Sequence, residues 1–124
     1  DKTLSDYKVI QTTAYSAITE VRFYEETIAH INESHPEVKV ELPSISTAIE
    51  KAICNPTDVE QSDPEQHPKS YVYVDSETTD HQGQPLSVPV KIIEGTSALL
   101  KTVFFAEASS PQAVSVLKKG GGRG

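Results

Sequence analysis

Methionine and tryptophan are absent from this chain, cysteine occurs once and arginine only twice. The lone Cys54 rules out an intrachain disulfide, so the sequence neither requires nor excludes an oxidising compartment. No apolar run approaches the ~18 residues of a membrane span, and none reads as a signal-peptide core. Neither a phosphate-cradling Gly-rich loop, nor a Gly-x-Ser-x-Gly elbow, nor a zinc-spaced Cys/His cluster occurs. With no methionine at all, the expectation is a fragment excised from something longer, or a processed product. Positive charge is also scarce. Eleven Lys and Arg against 18 Asp and Glu give a formal net charge of −7. A domain that holds nucleic acid by nonspecific phosphate contacts is normally basic, so composition weighs against that role. A small cluster of cations can still act within an acidic protein.

What is present suits one domain: 124 residues, 36% hydrophobic and 23% charged can build one core. The organising stretch runs over 23–38. Tyr24, Ile28 and Ile31 recur at helical spacing, so one face is apolar. Glu25 and Glu26 suit the first turn, and Pro36 biases His35 out of helical angles, so the helix ends near Ser34. His30 lies at the flank of the apolar face. By itself it reads as a histidine at the core edge bonded to a neighbour; half-open to a cleft, it is also placed to move protons. His30 and His35 stand about 140° apart on a continuous helix, so they are not a zinc-binding i, i+4 pair.

A second helix is expected from Ser44 to Cys54, where Ile45, Ala48, Ile49, Ala52 and Ile53 form a stripe and Asn55-Pro56 stops it. Cys54 reads as a small core or interface residue, since no base or cation is evident beside it. Before the helices, residues 1–17 read as an N-terminal extension, extended or briefly helical, and Ile18 to Phe23 alternates as a short strand should. Thr57 to Lys69, rich in acids and proline, reads as an exposed connection with a solvated His67. Tyr71 to Asp75, Leu86 to Ile93 and Ala98 to Ala106 are strand candidates joined by hairpins, with Pro89 forcing a bulge or an open side. Asp75, Glu77, Asp80 and His81 read as a solvated hairpin loop rather than a divalent-ion site. Residues 118–124 read as a flexible Gly-rich tail. The expected architecture is a single α+β domain over 18–117, two N-terminal helices packed on a three- to four-stranded antiparallel sheet.

Lys101 and Thr102 interrupt an otherwise apolar strand. They are either a snorkelling lysine and its neighbour at a rim, or parts of a cleft that also holds His30 and Ser70 or Tyr71. Such a set can cleave RNA without a metal: histidine moves protons, a cation stabilises the phosphorane charge, and the 2′-hydroxyl attacks.

Several pieces taken together resemble a known group. They are Val-Arg-Phe-Tyr, His30-Ile31, His35-Pro36-Glu37, the Ile-rich helix ending in Asn55-Pro56, Tyr71-Val-Tyr, the stretch from Pro85 to Lys91, and Lys101-Thr-Val-Phe-Phe. Over about residues 18–108 this succession is similar to the phage and polymorphic-toxin branch of the barnase–EndoU–colicin–RelE ribonucleases. The resemblance implies a metal-independent, cofactor-free endoribonuclease with RNA, tRNA among the candidates, as substrate. It implies delivery as part of a larger toxin or phage protein, action in the cytoplasm and no membrane partner. Residue by residue it matches His30 and His35 to the helix motif, sets Ser70 before the first meander strand and Thr102 in the terminal strand; Lys101 or Thr102 would meet the scissile phosphate. The alternative from charge is an acidic immunity or antitoxin-type protein that binds a basic nuclease. A structural phage or secretion-machine domain is a third, weaker reading.

Overall fold

The computed structural model describes residues 7–34, 36, 45–106 and 113–116, leaving out the side chains of residues 7, 25, 28 and 32. His35, the helix-start residues Pro43 and Ser44, and the 118–124 tail lie outside the described residues. β1 (Tyr7–Tyr15) and β2 (Ile18–Tyr24) form an antiparallel hairpin, with Ile10 opposite Val21 and Tyr15 opposite Ile18. Strand alternation turns Ile10, Val21 and Phe23 into the core. Thr12 is buried among them because its hydroxyl donates to the Ile53 carbonyl at 2.8 Å and accepts the Ala14 N–H at 3.2 Å.

Two helices follow. α1 (Glu25–Ser34) continues straight from β2 and sends Ile31 into the core. α2 (Ile45–Cys54) buries Ile45, Ile49, Ala52 and Ile53, and lies against β1 and the later strands β4 and β5. Those strands belong to a run formed by β3 (Asp58–Asp63), β4 (His67–Thr79), β5 (Pro85–Glu94), β6 (Ser97–Leu100), β7 (Phe104–Phe105) and β8 (Val114–Ser115). Among the described residues the sheet order is β1-β2-β6-β5-β4-β3-β8, with β7 also on β5. β2 and β6 run parallel, and the other pairs are antiparallel.

β6 and β7 are one strand broken by a bulge. Lys91 faces Leu99 and Ser87 faces Phe104, so one residue more lies on the β6–β7 side. The break falls opposite Pro89. Its carbonyl accepts the Lys101 N–H at 2.8 Å, but it has no N–H to return, and the ladder slips there. The sheet also curls. Tyr15 on β1 and Tyr71 on β4 bring their ring centroids to 5.4 Å, although a flat sheet would hold strands four places apart at about 19 Å. The inward face, with Tyr73, Leu86, Val88, Val90, Ala98 and Leu100, therefore closes over α2.

The expected pair of helices on a three- to four-stranded antiparallel sheet is corrected by this arrangement. The meander β4-β5-β6 is present, but it is the middle of a larger, mixed sheet. One addition is β1, in a region where sequence periodicity does not choose between strand and helix; it pairs with β2, the short strand expected over Ile18 to Phe23. The other is β3. Asp58 to Asp63 reads as a solvated connection because Val59 is its one apolar residue. Val59 is nevertheless fully buried, the strand ladders onto β4, and Ser115 donates to Asp58 Oδ1 at 2.6 Å. Backbone pairing and a single buried valine suffice where apolar alternation is missing.

Candidate functional site

The strand registers carry one row of side chains across the outer face of the sheet. Ser70 on β4 faces Lys91 on β5, Lys91 faces Leu99 on β6, Leu99 faces Arg22 on β2, and Arg22 faces Val9 on β1. This is the face opposite the core, since Tyr71, Val90, Leu100 and Val21 on the neighbouring rows are all buried. Lys101 belongs to the same face. It follows the inward Leu100 and bonds Pro89, which shares its side of β5 with Lys91. Lys91 and Lys101 are thus diagonal neighbours across β5–β6, about 7–8 Å apart at Cα. Both are exposed, and neither makes an ion pair among the described residues.

Arg22 is held differently. Its Nη2 lies 3.0 Å from Glu20 Oε2, and its Nε donates to that oxygen at 3.1 Å. Ser97 donates to the same oxygen at 2.7 Å and Gln11 to Oε1 at 3.5 Å. The Ser97 hydrogen bond first, then Arg22, hold the Glu20 carboxyl below its ordinary range.

The parallel pairing of β2 with β6 fixes where α1 leaves the sheet. Arg22 is level with Leu99; β2 runs on to Tyr24 and α1 starts at Glu25, while β6 ends at Leu100, one residue before Lys101. His30 is exposed on that helix, with its Nε2 3.3 Å from Ser34 Oγ. The two atoms sit one helical turn apart, so the bond is local to α1. Thr102, in the bulge, has its Oγ1 buried with no hydrogen-bond partner among the described residues. Among the residues proposed from sequence, Lys101 and Thr102 follow β6, which pairs with the strand that leads into the helix carrying His30. Ser70 lies on the far side of β5, next to Lys91. His35 lies outside the described residues.

A second polar cluster anchors the fold. The Asp75 carboxylate is fully buried and accepts from Lys51 Nζ at 2.9 Å, Thr78 Oγ1 at 2.7 Å and the Glu77 N–H at 3.0 Å. Burial pushes its pKa up, but these hydrogen bonds outweigh burial and hold it below the ordinary value. The Asp75 hydrogen bond in turn raises Lys51. Glu77 reaches the same ammonium at 3.4 Å, and Asp80 Oδ1 accepts the Gln82 and Gln84 N–H groups. These carboxylates are engaged in holding their own loop. No group of three or more His, Cys, Asp or Glu is arranged to hold a metal ion among the described residues.

Inside the curl, burial pushes the Tyr71 phenol up to about 12, and Tyr73 further. Burial also raises the Cys54 thiol, which donates to the Gln11 carbonyl at 3.4 Å. Neutral phenols and a protonated thiol are poor nucleophiles and bases. Sequence reasoning did not single out Lys91 or Arg22. Strand alternation places Lys91 opposite the Leu86–Ile92 face, but its neighbours come from registers that periodicity does not contain. Comparison with protein-family models, with curated proteins and with solved structures found no match.

Proposed function

We propose that this chain is a metal-independent endoribonuclease domain that cleaves RNA, with tRNA a candidate substrate, by acid–base catalysis. The observation that carries the reading is the placement of α1. The helix bearing the exposed His30 follows directly on β2, whose parallel partner β6 ends one residue before Lys101, and Lys91 and Lys101 make no ion pair among the described residues. In the reaction, His30 takes the proton of a 2′-hydroxyl, the 2′-oxygen attacks phosphorus, and Lys101 offsets the charge that builds on the non-bridging oxygens. The P–O5′ bond then breaks, and the leaving oxygen takes up a proton, leaving a 2′,3′-cyclic phosphate and a 5′-hydroxyl. Thr102, Ser70 and His35 are assisting groups in this scheme. Action in the cytoplasm, after delivery as part of a larger toxin or phage protein, accompanies it. No helix among the described residues is long and apolar enough to cross a membrane.

The test is cleavage of total tRNA and of a generic RNA in EDTA by the wild-type chain and by His30→Ala. Loss of cleavage in the variant supports the assignment; equal cleavage removes His30 from the site.

Charge favours a second reading, an acidic immunity or antitoxin-type protein. The net charge is −7, and Asp58, Glu60, Asp63 and Glu65 gather along β3 and its turn. Complementary charge speeds association with a basic nuclease. Absence of any cleavage together with tight binding to such a nuclease selects this reading.

A further inference from the structure

We infer that Lys91, with Ser70 and Lys101, forms a phosphate-binding subsite on the outer face of the sheet, which holds the backbone of single-stranded RNA beside the cleavage site. The inference rests on the ribonuclease reading and adds a substrate-binding residue to it. Cations are few in this chain, 11 against 18 acids, yet the registers gather Lys91, Lys101 and Arg22 on one face. Neither Lys91 nor Lys101 pairs with a carboxylate among the described residues. Of the carboxylates on this face, Glu20 is occupied by Arg22, Ser97 and Gln11, and Asp58 and Glu60 stand on β3, two strands from Lys91.

Geometry favours a single strand. Ser70 is the direct cross-strand partner of Lys91, so a hydroxyl donor and an ammonium stand about 5 Å apart at Cβ. That spacing lets both reach oxygens of one phosphate. Lys101, on the diagonal, then lies near the adjoining phosphate, toward α1. Between and beside these groups Val72, Pro89 and Leu99 are half-buried, an aliphatic surface on which unstacked bases can rest. A duplex keeps its bases inside and offers nothing to that surface.

The experiment measures binding apart from cleavage, with a 2′-O-methyl oligonucleotide that lacks the attacking hydroxyl, over a series of salt concentrations. For single strands the log–log salt slope changes by about 0.7 for each phosphate neutralised. Lys91→Gln is expected to weaken binding and flatten the slope by about that amount, Lys91→Arg to restore both, and Lys69→Gln, exposed but off this face, to match wild type. Weaker binding of Lys91→Gln with an unchanged slope removes the phosphate contact and overturns the inference. Lys91→Gln that binds like wild type, while the wild type binds and cleaves, overturns the subsite and leaves the ribonuclease reading standing. A wild-type chain that neither binds this oligonucleotide nor cleaves RNA overturns both.

Discussion

Removing Lys51 and neutralising Asp75 are predicted to cost unequal amounts, although they break the same ion pair. The Asp75 side chain has 0% relative exposure and that of Lys51 has 43%. Lys51→Met keeps the aliphatic stem but leaves a carboxylate buried without its cation. Breaking a buried pair in this way costs about 3–5 kcal/mol. Asp75→Asn leaves a lysine that water can reach, and the Asn carbonyl still accepts from Thr78 or the Glu77 N–H. Its cost is set by one charged hydrogen bond, discounted for screening, at about 1–2 kcal/mol. The remaining contact from Lys51 to Glu77 at 3.4 Å involves a carboxylate that is 82% exposed and changes little in either variant.

Acid separates the cases further. In the wild type the lowered pKa of Asp75 means that its contribution is full above the unfolded value, about 3.9, and is lost as pH falls through the folded value. In Lys51→Met the buried carboxylate has lost its cation, so the penalty is full where the carboxyl is ionised and relieved as it takes up its proton. Urea unfolding followed by circular dichroism, at pH 7 and near pH 4, reads both effects. Equal losses for the two variants, or a gap between Lys51→Met and wild type that fails to narrow in acid, refute the reasoning.

Two other substitutions follow from the geometry. Tyr73 is fully buried and its hydroxyl has no hydrogen-bond partner among the described residues. Tyr73→Phe is therefore expected to raise stability by about 1 kcal/mol, the desolvation no longer borne by an unpaired group; a loss measured by the same urea titration shows a partner for that oxygen. Gly95, in the β5–β6 turn, has φ +55°, and an added Cβ meets nothing within 4 Å. Gly95→Ala is expected to cost only the left-handed backbone penalty, about 1–2 kcal/mol; a thermal shift corresponding to more than twice that loss contradicts an open site.

Several elements were legible in the sequence. α2 follows from the Ile45–Ile53 stripe and its Asn55-Pro56 stop, and α1 ends at Ser34, one residue before the position that Pro36 biases away from helix. The first two meander strands show in their alternation; the third, expected unbroken from Ala98 to Ala106, is split into β6 and β7, and the fault opposite Pro89 follows from its missing N–H. β3 was not legible, because a strand whose single buried side chain is Val59 has no period to detect. The parallel pairing of β2 with β6 was not legible either, since it joins residues more than 70 positions apart, Arg22 with Leu99 among them. That pairing puts the strand leading into α1 beside β6 and completes the row containing Lys91. The types of residue at the candidate site were visible along the chain, but their juxtaposition is a property of strand order.

The most direct test of the central claim is the product of RNA treated with the purified chain in EDTA at low salt. The ribonuclease reading predicts fragments ending in a 2′,3′-cyclic phosphate and a 5′-hydroxyl, with the rate reduced about 10²- to 10⁴-fold in His30→Ala. Intact RNA at high protein concentration, or fragments produced equally by wild type and His30→Ala, contradicts it.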